Sequence, residues 1–397
     1  MSETQKHTKP NVPNLRFPGF EGEWESRKIG EDCSVLMCKR IFAHQTSEQG
    51  DVPFYKIGTI GAEPDAYISR ELFEDYKAKY NYPREGEVMV TCAGTVGKTI
   101  VFNGDDSYYQ DSNIVWLSNP KQLYLNSFLN YYLSRVNWNK LNSTTITRIY
   151  NDNLRELIIK YPSVEEQEKI VSLLSLLDQR IAVQNKVIED LKKLKTALCT
   201  ELFSHGRTIS TSFSEIGTYF SADNLSKEEL SDSGTECILY GELFTTYGRV
   251  ITDVKSRTSR RINNVTTLSQ SNDLLFPAST TVDAISLISP SAIIKPGVIL
   301  GGDMFGIRLS DKYNNQYMSN LLYYCYRYKL ASYAQGSTII HLHYKDIEKI
   351  KITVHPKENQ DRIVAILALQ DNRIANEQRI VNAYTNQKAN LIRQMFI

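Results

Sequence analysis

No apolar run in these 397 residues approaches the roughly 18 consecutive positions that a membrane-spanning helix needs. The stretch from Met1 to Asn11 is polar and holds no apolar core of the kind an export signal requires, so a cytoplasmic setting is expected. Cysteine is sparse. Six residues (Cys33, Cys38, Cys92, Cys199, Cys237, Cys325) form no Cys-x-x-C pair, which argues against a disulfide framework or a zinc module. The six histidines lack metal-ligand spacing except for His341-x-His343, which alternation along a strand would explain, so no metal site is expected. There is no G-x-G-x-x-G cofactor loop, no Asn-Pro-Pro-Tyr motif for adenine methylation, and no catalytic triad that the sequence alone can assemble. The net charge of +1 excludes a polycation that grips nucleic acid by bulk charge. Any such contact must come from local patches.

What the chain does have is a duplication. Ser143-Thr144-Thr145-Ile146, Tyr150, Asp152 and Pro162 return half a chain later as Ser337-Thr338-Ile339-Ile340, Tyr344, Asp346 and Pro356. After each proline, Gln167, Ile170, Val171, Asp178, Arg180 and Ile181 recur as Gln360, Ile363, Val364, Asp371, Arg373 and Ile374, and Leu202-Phe203 recurs as Met395-Phe396. The period far exceeds the roughly 20–50 residues of a solenoid repeat, so a domain plus a helix has been doubled. A duplicated chain can take pseudo-two-fold symmetry, which double-stranded DNA shares.

The expected order is a disordered tail over 1–16, a domain over 17–161, a helix over 162–205, a second domain over 210–355 and a helix over 356–397. In the first domain, Glu87 to Thr91 and Ile114 to Leu117 read as strands and Asn126 to Trp138 as a helix. Asp273 to Phe276 and Tyr317 to Tyr328 are their counterparts. The fold class is mixed α/β: two globular domains separated by two long antiparallel coiled-coil helices, pseudo-two-fold. Pro162 and Pro356 bar helix just before them, Ser163 can cap, and Glu165-Glu166 suit a first turn. Ile170, Leu174, Leu177, Ile181, Ile188 and Leu191 step by three and four. So do Ile363, Leu367, Ile374, Val381, Tyr384 and Leu391. They form a heptad seam, interrupted by Gln184, Gln370, Glu377 and Lys388. Both stripes are narrow, so the helices are expected to pack on each other, antiparallel.

Cys92 to Thr99 ends in Gly97-Lys98-Thr99 like a phosphate-binding loop. It lacks the leading glycine, and Thr99-Ile100-Val101-Phe102 is strand chemistry where that loop needs a helix. A hairpin is expected, with an NTPase as the alternative. The positive signals are basic, hydroxyl-rich loops: Arg249, Lys255, Arg257, Arg260 and Arg261 with Ser279 and Thr280 in the second domain. In the first they are Lys39, Arg40, Lys56, Thr91, Gly94, Thr95, Lys98, Thr145 and Arg148. Arginine and lysine neutralise phosphates, and arginine can read guanine bidentately.

Pro162-Ser163-Val164-Glu165-Glu166-Gln167-Glu168-Lys169-Ile170 with Leu173, Leu177 and Asp178, repeated from Pro356 to Asp371, resembles the specificity subunit of bacterial Type I restriction-modification enzymes. The opening Val12 to Phe20 with Trp24 is similar to many such subunits, and the resemblance covers the whole chain. The second copy departs from the pattern with Asn359 where a glutamate precedes the glutamine. The resemblance implies a non-catalytic DNA-binding subunit. Each domain would read half of a split, asymmetric target, while the helices set the gap and dock two modification (methyltransferase) subunits. Restriction subunits join in the full complex. S-adenosylmethionine, ATP and magnesium are then expected in those partners and none in this chain. The alternative is a helical scaffold that reads no DNA.

Overall fold

The computed structural model describes residues 11–138 and 148–397, which divide into two units: residues 1–184 with 380–397, and residues 185–379. Each unit therefore contains one globular domain and a stretch of both long helices.

In the first unit, Glu25–Lys28 pairs antiparallel with Ile158–Tyr161, closing the domain where the chain enters and leaves. A four-stranded sheet runs in the order Ser34–Leu36, Ile114–Ser118, Val88–Thr91, Thr99–Val101. Val88 to Thr91 and Ile114 to Leu117 are buried throughout, so these strands carry apolar side chains on both faces, with Thr91 at the end of one. The helix Asn126–Ser134 buries Phe128, Leu129 and Leu133. It ends earlier than the apolar spacing suggested. A smaller sheet joins Tyr67–Ile68, Val52–Tyr55 and Tyr108–Tyr109, its last pair parallel.

The second unit repeats this plan. Ile209–Ser212 pairs with Lys351–Val354 as the closing ribbon. The main sheet places Gly217–Ser221, Met304–Leu309, Asp273–Pro277 and Ser291–Ile293 in the corresponding order, with Val250–Ile251 at its edge. The smaller sheet again contains a parallel pair, Thr235–Leu239 with Ile299–Gly301. The expected Tyr317 to Tyr328 helix is two helices, Asn315–Cys325 and Arg327–Ala331. His341 ends a short strand whereas His343 caps a helix, so strand alternation does not account for that pair.

The long helices span Val164–Ser204 and Lys357–Met395, each about 60 Å at 1.5 Å per residue. One glutamine anchors each start. Gln167 Nε2 donates to the Pro162 and Leu123 carbonyls at 2.9 Å, and its Oε1 accepts from Leu125 N at 2.8 Å. Gln360 does the same with the His355 and Lys312 carbonyls and Asn314 N, at 2.8, 3.4 and 2.9 Å. Glu166, the residue without a counterpart at Asn359, holds Arg16 through two 2.8 Å bonds. That pair, with Leu15 N on the Gln394 carbonyl, ties residues 15 and 16 to the two long helices.

Antiparallel packing is evident within each unit. In the first, Ile170 and Leu174 share a core with Met395 and Phe396; in the second, Cys199 and Phe203 share one with Ile363 and Leu367. Of the expected seam, Ile170, Leu174, Leu177, Ile188, Leu191, Ile363, Leu367 and Val381 are buried, and Ile181, Ile374, Tyr384 and Leu391 are half-buried. One of the polar interruptions, Lys388, is paired across the helices. Lys388 Nζ lies 2.5 Å from Asp178, and Lys195 Nζ lies 2.5 Å from Asp371, so the duplication carries one ion pair per unit with the partners' helices exchanged.

Phe396 lies on Phe128 at 4.9 Å and edge-on to Trp24 at 6.4 Å, and it is 3% exposed. Phe396→Ala is expected to destabilise the protein by about 3 kcal/mol, read as a lowered denaturation midpoint. Asp371→Asn strands the buried Lys195. Because Asp371 is itself half exposed, the cost is expected to be about 1 kcal/mol after screening. Exchanging the two residues in a double variant should recover most of it in the same melt.

Candidate nucleic-acid interface

Both units suspend a loop from the end of a central strand. In the first, Val88–Thr91 and Thr99–Val101 are the two arms of an antiparallel hairpin, so Cys92 to Lys98 is a turn and no helix follows Lys98. Thr91 Oγ1 accepts from Lys98 N at 3.0 Å, and Gly97 N donates to the Thr91 carbonyl at 2.8 Å. Gly94 and Gly97 have φ of +64° and +80°, which glycine adopts without penalty. A Cβ on Gly97 would lie 2.0 Å from the Trp138 ring. Cys92 is sealed beneath, its thiol pushed up to about 11 by burial, so it is no nucleophile.

Several expected residues gather around this turn. Thr91, Gly94, Thr95 and Lys98 belong to it, and Lys98 Nζ donates to the Ile60 carbonyl at 2.6 Å, tying it to the segment that holds Lys56. Lys56 pairs with Asp65 at 3.0 Å. Arg148 donates to the Ser112 carbonyl at 3.4 Å, and Arg40 reaches the adjoining Asp111 at 2.9 Å. Lys39 stands apart, over Tyr80 at 5.3 Å. Thr145 lies outside the described residues.

In the second unit the corresponding loop leaves Asp273–Pro277 and pairs Ser279 with His341 and Thr280 with Ile340. The loop's strand partner thus begins at Ile340, the last residue of the repeated Ser337 to Ile340 segment. One backbone bond is common to both units: Ile149 N donates to the Cys92 carbonyl at 2.9 Å, and Leu342 N to the Ala278 carbonyl at 2.9 Å. Ser279, Thr280, Thr281 and Arg249 line one cavity of about 740 Å³, with Tyr323, Arg327 and His341. The rest of the basic cluster is elsewhere, on the smaller sheet. Arg257 pairs with Glu236 at 3.5 Å, a carboxylate it shares with Lys295 at 2.7 Å, and Arg260 pairs with Glu229 at 2.6 Å; Lys255 and Arg261 are exposed. Tyr323 and Arg327 escaped the sequence reading because they belong to helical segments and reach the loop only through the tertiary fold. Among the described residues no His, Cys, Asp and Glu cluster is arranged to hold a metal ion, and no helix is long and apolar enough to cross a membrane.

The family model for the type I restriction modification DNA specificity domain matches residues 21–193 and again residues 212–385. The chain belongs to that family. Within this specificity family, 164 residues are 46% identical to a Haemophilus influenzae protein named as a type I restriction enzyme specificity subunit, covering 41% of this chain and 42% of that relative's length. Over 409 aligned positions it is 24% identical to the MjaX specificity subunit of Methanocaldococcus jannaschii, covering 93% and 92% of the two chains. The same fold occurs in the crystal structure of a Type I restriction-modification system S subunit from M. genitalium. That match has a TM-score of 0.55 and 18% identity, covering 97% of this chain and 99% of that one. A second solved structure, concerned with assembly and conformational transition of the type I system, gives a TM-score of 0.56 at 16% identity and covers 96% of each.

For a specificity domain, this glycine turn offers a direct test of the first unit's surface. Gly97→Ala is expected to disrupt the Cys92 to Lys98 turn, costing about 2 kcal/mol or more through the positive φ and the Trp138 clash. Lowered thermal stability together with changed tryptophan fluorescence would show it.

Proposed function

We propose that this chain is the sequence-reading subunit of a type I restriction-modification assembly, each unit recognising one half of a bipartite, asymmetric DNA target. One observation carries the reading. An analogous backbone bond, from Ile149 in one unit and Leu342 in the other, one residue apart in the repeated frame, pins two loops that have little sequence in common. A frame that repeats while its loops diverge is suited to two different half-sites held in one fixed relation.

The two long helices then act as the spacer for the unread gap. Their exposed faces, which carry Leu176 and the equivalent Leu369, dock two methyltransferase subunits. Methyl transfer with S-adenosylmethionine, and cleavage with ATP and magnesium, are steps of the partner and restriction subunits in a bacterial cytoplasm. The residues of this chain bind and orient DNA. A net charge of +1 suits a reader whose partners contribute much of the phosphate binding.

Co-expression with a modification subunit, followed by genome-wide mapping of methylated adenines, tests the proposal. Replacing residues 210–355 with the equivalent domain of a relative is expected to change one half of the methylated motif and leave the other half and the gap intact. An unchanged motif would sink the reader model in favour of a scaffold.

A further inference from the structure

Several half-buried arginines answer to a carboxylate: Arg16 to Glu166, Arg260 to Glu229, Arg308 to Asp273. Arg249 and Arg327 do not. Among the described residues neither has a carboxylate within ion-pair distance, yet both guanidinium groups lie over the same ring, 4.1 and 4.6 Å from the Tyr323 centroid. Arg249 donates to the Pro290 carbonyl at 3.0 Å and to Ser289 Oγ at 2.8 Å. Arg327 donates from Nε to the Ile285 carbonyl at 2.9 Å and from Nη1 to the Tyr323 hydroxyl at 3.2 Å. Burial, with the like charge of Arg327 adding to it, pushes the Arg249 guanidinium down to about 10.

Of the nearby acids, Asp283 attracts Arg327 only from beyond ion-pair distance. Asp283 accepts from Ser286 N at 2.7 Å and Ser286 Oγ at 2.6 Å, and Asp303 faces His341 at 3.8 Å. Two positive charges without an ion-pair partner therefore sit half-buried beside a cavity lined by the hydroxyl run Ser279 to Thr281 and, on another side, by Asp303. Holding such charge away from water is costly unless an anion joins it. Both terminal nitrogens of Arg249, and Nε and Nη1 of Arg327, already donate within the protein. These bonds fix the orientation of both guanidinium groups and leave further N–H groups for an oxyanion, among them Arg249 Nε and Arg327 Nη2.

We propose that Arg249, Arg327 and the Ser279 to Thr281 hydroxyls form a binding site for a phosphodiester oxyanion of the DNA backbone, which positions the second unit on its half-site without reading a base. The inference rests on the chain being a DNA reader, and the two can fail separately.

The test measures binding of the full chain, assembled with its modification subunits, to two duplexes across a salt series. One duplex carries the target and the other has the second half-site scrambled. Arg327→Gln is expected to lower the magnitude of the log affinity against log salt slope by about 0.9 for one phosphate lost. It should weaken both duplexes by the same factor, while Arg327→Lys keeps the wild-type slope. An unchanged slope in Arg327→Gln overturns the site. So does a changed ratio between the duplexes, which would mean base reading. A slope in Arg327→Lys as low as in Arg327→Gln overturns it too, by showing that Arg327 acts through its hold on the Ile285 carbonyl. Titration of the DNA-free complex with inorganic phosphate separates the source. Tight, saturable binding that Arg327→Gln abolishes would assign the pair to a free phosphate ligand and overturn the backbone assignment. If the wild-type complex binds both duplexes equally, sequence reading fails while the slopes still decide the site. If it binds neither, both fall.

Discussion

Each globular core in this protein is finished by the end of a helix that began at the other repeat. Phe396, closing the C-terminal helix, fills the space beside Phe128 and Trp24 in the first unit; Phe203, closing the central helix, packs edge-on against Tyr317 at 5.4 Å in the second. Burial of a large aromatic side chain contributes on the order of 2–3 kcal/mol, so neither core is complete without both helices. The exchange also restricts sliding of one helix along the other. A shift by one turn would withdraw a phenylalanine from its pocket and separate Asp178 from Lys388 and Asp371 from Lys195. Apolar stripes alone tolerate such slips better than stripes interrupted by charges that must find one another.

On this frame the protein separates what must stay constant from what can vary. The glutamine anchors, the ribbons and the bond from residue 149 or 342 to the loop recur in the two units, displaced by one residue against the repeated prolines and tyrosines. The loops so held are not equivalent: one is a glycine hairpin packed against Trp138, the other a hydroxyl strand paired with Ile340 and His341. Both are attached to a buried central strand, so residues that meet a ligand move only as far as a rigid sheet permits.

Much of this was legible beforehand, for a physical reason. Heptad spacing and the twin helix starts are local patterns, and hydrophobic burial obeys them, so the helices and their antiparallel pairing followed from Ile170 to Leu191 and Ile363 to Leu391. The strand chemistry of Thr99 to Phe102 was enough to read Gly97-Lys98-Thr99 as a hairpin. The charged clusters were less informative. Arg257 and Arg260 stand beside Arg249 in sequence, but the fold hands them Glu236 and Glu229 and leaves Arg249 with Tyr323 and Arg327. Whether an arginine is spent internally depends on which acid lies across a sheet, and nothing in its own neighbourhood records that. The seam lysine Lys388 was visible as an oddity, and only the packed helices show its partner.

The ribbons Glu25–Lys28 with Ile158–Tyr161 and Ile209–Ser212 with Lys351–Val354 bring together the two points where the chain enters and leaves each domain. Once a neck is zipped, the length of chain beyond it matters little, because the entropy of closing a loop grows only logarithmically with its size. A lineage of such proteins could therefore acquire, shorten or trade the contents of either loop-bearing domain by recombination at the necks. An incoming domain would have to preserve only the pockets for the helix-end phenylalanines and the carbonyls that the two glutamines hold, and a new target would cost one crossover in place of many coordinated mutations.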